Sequence, residues 1–470
     1  MTETLYDQVP YPGSAYPQAH PDRLATIATL FGMSPPDVGT CRVLELGCGT
    51  GEHLVPMAAG LPKAQFLGID LSPRQIEAAT LASQRLGLTN LDLQVADIRS
   101  LGNHIGIFDY IIAYGVYSWV DQEVQEKLLQ IMSNHLQPHG VGLVAYNTRP
   151  GWHMFEMVRD MMIFDTRDVQ DPLAKVTRAR QYLDYISRSS QVADDVYAAW
   201  LMEVEYYLST APDAYVLHDL LEEINEPLFF FQFMERAQKH KLQFLGEANY
   251  ASMVVDNFPD HVLKVLRQEE DDRLHIEQCM DFLRNKKFRS TLLCHQQRTL
   301  TIPPKKALIR SFSFSCSFDP GEKEGEFRSR DGHIIIVRDA EQRELMEWLF
   351  ETKPQWYTFD ELAQKLNQED LLELLQLCLN TSSLYFHLRQ PTWHPAVSEL
   401  PRATGVALLQ AELGNQVTNL RHEALEISDD ERTLLLKLDG NSKLAELTEE
   451  LDLDVNRLVK RICHLALLEG

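Results

Sequence analysis

Glu45, Gly47, Gly49 and Gly51 stand in the stretch VLELGCGTG (43–51), and two further acids, Asp70 and Asp97, follow the next two apolar runs. Alternate glycines let a backbone take positive φ and approach a ligand closely without steric cost. Asp70 lies 19 residues beyond Gly51, where a βαβ unit places the carboxylate that accepts both hydroxyls of a ribose. The dinucleotide fingerprint would require glycine at position 52, and Glu52 is there instead. The chemistry implied is the holding of a nucleoside-bearing ligand by a strand-to-helix turn and two acids.

Those residues need a parallel sheet to bring them to one edge. Residues 42–146 alternate short β-rich runs with longer amphipathic stretches, the pattern of βαβ units. The strands read RVLELG (42–47), QFLGID (65–70), LDLQVA (91–96), FDYIIAY (108–114) and GVGLVAY (140–146). A serine N-cap and a following proline predict a helix from Ser72, and an acidic cap predicts another from Asp121. Residues 152 to about 210 read as helices. A helix over 227–241, a strand over 242–250, helical sequence over 259–285 and a strand over 288–296 then complete a seven-stranded sheet.

The spacing E-x-G-x-G-x-G, with acids after the second and third strands, resembles the first motifs of class I S-adenosylmethionine methyltransferases over residues 42–146. The resemblance implies a Rossmann-like α/β fold and S-adenosyl-L-methionine as cofactor. It implies a cofactor-binding set of Glu45, Gly47, Cys48, Gly49, Gly51, Asp70, Leu71, Asp97, Ile98 and Tyr114. Glu45 would meet the amino-acid end, Asp70 the ribose, and Asp97 with Ile98 the adenine edge. A sulfonium cofactor carries no pyrophosphate, so the helix N-terminus need not bind an anion.

YDQVPYPGSAYPQAHPDRLA (6–25), YGVYSWV (114–120), YNTRPGWH (146–153) and the segment with HDLLEEINEP (218–227) resemble bacterial methyltransferases that carry the methyltransferase regulatory domain. That family includes protein lysine methyltransferases acting on outer-membrane proteins. The resemblance covers about residues 5–300 well and the C-terminal third loosely, and the acceptor it implies is a lysine amine of a protein. A small-molecule O- or N-methyltransferase and a cofactor-binding regulatory protein without catalysis are the alternatives. Lysine methylation needs a deprotonated amine held in line in a dry channel, and aromatic rings suit its alkyl stem and methylammonium. Tyr6, Tyr11, Tyr117, Trp119, Asn147 and His218 are the candidate catalytic residues. His218 and Glu222 share a helix face at i, i+4 and read either as a base with its orienting acid or as a structural hydrogen bond to Asn225 or the backbone. Arg149 reads as a substrate contact or a surface ion pair. The proline-stiffened, tyrosine-rich stretch 6–21 is expected to cross the pocket as a lid, with Tyr6 and Tyr11 facing inward.

The bulk properties narrow the partners. The 470 residues carry 44 Lys and Arg against 68 Asp and Glu, a net charge of -24 spread over the whole length. A negative field disfavours nucleic acid and favours a basic partner. No N-P-P-[YF] motif for base amines follows the fourth strand. Seven scattered cysteines without a CxxC pair imply reduced thiols, no zinc site and a cytoplasmic location. No secretory signal or membrane-spanning run is read, so no membrane insertion is expected. The regions expected are a cofactor-binding core with lid (1–150), a helical insertion suited to a homodimer interface (151–226), a regulatory-domain-like segment completing the sheet (227–300), a strand-rich middle (301–340) and an α-rich region with winged-helix-like units (341–470). The acidic KLAELTEELDLD argues against DNA binding by that last region.

Overall fold

Apolar, β-branched runs buried on both faces form parallel strands with helices covering each side. The computed structural model describes residues 5–190, 195–269, 272–391, 393 and 396–469. The strands are β1 (Arg42–Leu46), β2 (Gln65–Asp70), β3 (Leu91–Val95), β4 (Phe108–Tyr114), β5 (Leu136–Asn147), β6 (Leu242–Glu247) and β7 (Phe288–His295), in the order β3-β2-β1-β4-β5-β7-β6. β7 runs antiparallel to both neighbours, and the other pairings that join β1 to β5 are parallel. Strand order reverses between β1 and β4, and the crevice beyond the carboxyl ends of strands at such a point is where open α/β sheets bind ligands.

Side-chain alternation sorts the strands into two layers. Val43, Tyr110 and Ile112 face a core that includes Leu24 and Ile27 of the helix Pro21–Leu30. Leu44, Leu46, Ile111 and Ala113 face the opposite core with Tyr146 and Phe233. The expected caps are formed: Ser72 Oγ accepts from Gln75 N, and an Asp121 carboxylate oxygen accepts from Val124 N. β5 begins four residues earlier than its apolar run because Leu136 pairs with Phe108 across a register shift.

Helices Trp152–Thr166, Pro172–Ser189 and Val196–Thr210 make up the expected insertion, and they share a core of Val158, Leu183, Leu201 and Leu217. The expected helix over 259–285 divides into Asp260–Leu266 and Arg273–Arg284, and residues 270 and 271 of that expectation lie outside the described residues. Arg289 on β7 is buried against three carboxylates: Nη1 donates to Glu247 (2.7 Å), Nε to Asp281 (2.8 Å) and Nη2 to Glu277 (3.0 Å). A removed partner would leave charge uncompensated in the interior, so this network ties β6 and β7 to the helix Arg273–Arg284.

In the C-terminal third the strand Ser313–Cys316 pairs with Tyr357–Thr358 and Leu384–His387, so the regions 301–340 and 341–470 interleave. A last unit contains the helix Gly405–Leu413, a hairpin of Gln416–Thr418 with Ala424–Glu426, and helices Asp429–Leu435, Leu444–Glu450 and Val455–His464. It has its own apolar core. No described helix is long and apolar enough to cross a membrane.

Candidate functional site

The turn after β1 is stitched to the end of β2. Gly47 N and Cys48 N both donate to Ile69 O, at 2.8 and 3.1 Å, and Gly49 N donates to Asp70 Oδ2 at 2.9 Å. Gly47 holds φ +75°, and a Cβ there would lie 3.2 Å from the Val116 side chain. Glycine is therefore needed where the chain borders the cavity. Asp70 Oδ1 accepts from Ser72 N at 2.9 Å, and burial raises the carboxyl above its ordinary range while these backbone donors pull it back.

A cavity of about 660 Å³ opens at this edge. Of the expected cofactor residues, Glu45, Gly47, Cys48, Gly49, Asp70, Leu71, Asp97, Ile98 and Tyr114 line it. Gly51 does not: a Cβ there would meet Ala79 and Val55 at 3.0 Å, so it permits close helix packing instead. The Cys48 thiol is buried, and burial pushes it well above its usual range. Glu45, 3% exposed at the end of β1, keeps Oε1 2.9 Å from His53 Nδ1, while its buried Oε2 has no partner. A buried carboxylate oxygen left unpaired on a cavity is costly, and the amino group of an amino-acid-bearing ligand would satisfy it. Asp97 caps the short turn Ile98–Ser100 through Arg99 N and pairs with the Arg99 guanidinium.

The other half of the cavity is built by the N-terminal segment against the insertion. Tyr6 stacks on His218 with centroids 4.1 Å apart, and Tyr11 stands edge-on to the same ring at 5.8 Å. His218 lies in a π-helical turn, Val216–Leu220, rather than the regular helix expected. Its Nε2 bonds to the Val9 carbonyl at 2.7 Å, and its Nδ1 is 3.7 Å from Glu222. Asp7 anchors the segment's far side: its carboxylate accepts from Ser72 Oγ, and its carbonyl accepts from Arg74 at 2.7 Å. Tyr16 stacks on Tyr114 at 4.0 Å, and Gln18 donates to the Tyr114 hydroxyl at 2.7 Å. Of the stretch 6–21, Tyr6, Tyr11, Gly13, Ser14 and Tyr16 line the cavity.

Trp119 and Asn147 line the cavity, and Asn147 Nδ2 donates to Asn225 at 3.2 Å. Tyr117 does not line it. The turn Tyr117–Trp119 after β4 drives that ring into the core against Tyr146 and Phe233, fully buried. Arg149 forms an ion pair with Glu156 at 2.7 Å, the surface reading of that residue. Sequence reasoning missed His53, Tyr207, Tyr215 and Asp219, all of which line the cavity. Asp219 accepts a hydrogen bond from Tyr11, and burial lifts its carboxyl to about 6, with the Tyr11 bond, His218 and Arg159 opposing the rise. Asp219 directly follows His218 in the sequence, which was the one local signal for it.

A methyltransferase domain matches residues 43–140, a predicted methyltransferase regulatory domain residues 212–295, and a PKMT C-terminal winged helix domain residues 399–458. The chain is 31% identical to protein RP789 of Rickettsia prowazekii over 94% of its own length and 85% of that protein's. It is 40% identical to RP028 of the same organism over 51% of its own length and 96% of that protein's. Among solved structures it resembles PKMT2 from Rickettsia typhi in complex with AdoHcy, with 30% identity, TM-score 0.87, and coverage of 98% of this chain and 100% of that one. With this fold and site the protein is a class I S-adenosylmethionine-dependent methyltransferase. It belongs to the family that joins such a domain to a methyltransferase regulatory domain and a PKMT winged helix domain.

Proposed function

We propose that the enzyme methylates lysine side-chain amines of a protein. The observation that carries this reading is the composition of the cavity's second half, where Tyr6, Tyr11, Tyr207, Tyr215 and Trp119 line the same cavity as the buried carboxyl of Asp219 and the cofactor residues. Aromatic faces accept an alkyl stem and attract an ammonium or methylammonium head. An ionised Asp219 would hold that head at neutral pH. The PKMT names of the winged-helix family and of the Rickettsia typhi structure support the same acceptor.

When bound, S-adenosyl-L-methionine supplies an electrophilic methyl group for in-line attack by a neutral amine. Glu45 Oε2 would hold its amino-acid end, Asp70 its ribose, Asp97 and Ile98 its adenine, and Gly47, Cys48, Gly49 and Leu71 its flank. Tyr6 and Tyr11, pinned by His218, would exclude water over the acceptor. Burial raises both tyrosine hydroxyls far above their usual range, so they serve as hydrogen-bonding walls and not as bases. Asn147 and Trp119 would border the incoming side chain, and Tyr114 the methyl-bearing centre.

The net charge of -24 supports a basic protein acceptor over nucleic acid. Free cysteines accord with the cytoplasm as its compartment. Exposed Phe164, Tyr185 and Tyr206 on the inserted helices support a homodimer through residues 151–226. Incubation of the purified chain with methyl-labelled cofactor and a cell lysate tests the acceptor. Label in protein bands that yields methyl-lysine on hydrolysis is the expected result; label confined to small molecules, or cofactor binding without transfer, would overturn it.

A further inference from the structure

Beside Glu45 begins a group of histidines that the proposed chemistry does not use. His53, 4% exposed, turns Nδ1 to Glu45 and leaves Nε2 without a partner. His422 meets it edge-on, with centroids 4.8 Å apart, and His20 lies 5.2 Å from His422 on another side. Burial keeps His20 and His422 uncharged at neutral pH, so the rings pack without mutual repulsion. Among the described residues no group of three His, Cys, Asp or Glu is arranged to hold a metal ion.

His422 reaches this position from far along the chain. It sits at the tip of the hairpin joining Gln416–Thr418 to Ala424–Glu426, inside the winged-helix match. Asn419 builds the tip: its Oδ1 accepts from Arg421 N (2.9 Å) and Glu423 N (3.0 Å), and its Nδ2 donates to Glu423 (2.7 Å) and to the Leu465 carbonyl (2.9 Å). Glu423 is in turn paired with Arg330 and Tyr385. Within this frame His422 holds φ +60° and is 5% exposed. A side chain other than glycine adopts that backbone conformation seldom, and it persists where the surroundings over-determine it, often at functional sites.

We propose that the winged-helix region completes the cofactor site, with His422 as a positioning residue that fixes the His53 ring. His53 thereby holds Glu45 by Oε1 and presents Oε2 to the cofactor's amino group. The inference rests on the role given above to Glu45. It assigns to the C-terminal third a part in binding the methyl donor, independent of which acceptor is used.

The test uses the full chain and calorimetric titration with S-adenosylmethionine. His422→Gly removes the ring while relieving the positive φ, so the thermal transition is expected to hold while Kd rises roughly two- to tenfold, the range of one aromatic pair. His422→Phe keeps a ring edge and is expected to bind within about twofold of the parent. Once His53→Ala has removed the intermediary, adding His422→Gly should cost nothing further. Parental affinity in a folded His422→Gly variant, or full additivity in the double variant, would overturn the proposal. Should His422→Gly lower the transition, His422→Ala and His422→Phe are compared below both transitions: weaker binding by Ala alone supports it, and equal binding overturns it. Glu45→Gln separates the two layers of the argument. Unchanged affinity there refutes the role of Glu45 itself, whereas weak binding there with normal binding by His422→Gly refutes only the positioning.

Discussion

Asp219→Asn should stabilise the protein at alkaline pH and slow it at the same time. In the fold burial raises the Asp219 carboxyl from its ordinary 3.8 to about 6, so the native state prefers the protonated form. The stability this confers is complete below about pH 4 and is lost as pH rises through about 6, where a buried charge must be made. At about 1.4 kcal/mol per pKa unit, the penalty above pH 7 is at most about 3 kcal/mol. Asparagine keeps an oxygen to accept from Tyr11 and never ionises. Denaturant midpoints measured at about pH 4.5 and about pH 8 should therefore separate the variant from the parent mainly at the higher pH. Turnover on the labelled protein acceptor should fall by roughly a hundredfold at about pH 8, as for loss of a group that handles the reacting amine or its proton. The reasoning fails if the two midpoints differ equally at both pH values, or if the variant turns over at the parental rate.

Two further outcomes follow from the cofactor edge and the crossing segment. Asp70→Ala should weaken S-adenosylmethionine binding by about 2–4 kcal/mol, the cost of leaving buried polar partners unpaired; calorimetry returning the parental affinity would refute the ribose assignment. Deleting residues 1–16 should abolish transfer while circular dichroism still reports a folded sheet, and full activity would deny that stretch its role over the cavity.

The parts legible in the sequence were those whose cause is local. β2 and β4 occupy the expected residues, because an apolar run bounded by turn residues fixes both the strand and its ends. Glu45 and Asp70 could be found for the same reason: each stands where a strand stops. Tyr117 was misplaced because a tight turn sends side chains two residues apart to opposite sides, Tyr117 into the core and Trp119 to the cavity. Nothing local distinguishes those two rings. The i, i+4 reading brought His218 and Glu222 near each other, as observed, and its alternative of a structural hydrogen bond to the backbone is met by the Val9 carbonyl, a partner so distant in sequence that only the fold could name it. His53 and His422 were invisible as a pair because only tertiary packing of a distant hairpin joins them. The strand Tyr357–Thr358 spans two residues, too short for periodicity to register, so the winged-helix units read as helices alone.

The strap over the cavity also sets a schedule for biosynthesis. Residues 5–16 leave the ribosome well before the group they dock on, because the ring that Tyr6 stacks on and the donor to the Val9 carbonyl belong to His218. At about 5–20 residues per second, the segment waits roughly 10–40 s for its dock to be translated. The nucleotide-binding half of the sheet can begin to form in that interval, with its mouth uncovered. A nascent or prematurely released chain that ends before the insertion therefore lacks Tyr207, Tyr215, His218 and Asp219 from the cavity lining, and on the proposed reading it would have nothing to hold an acceptor amine.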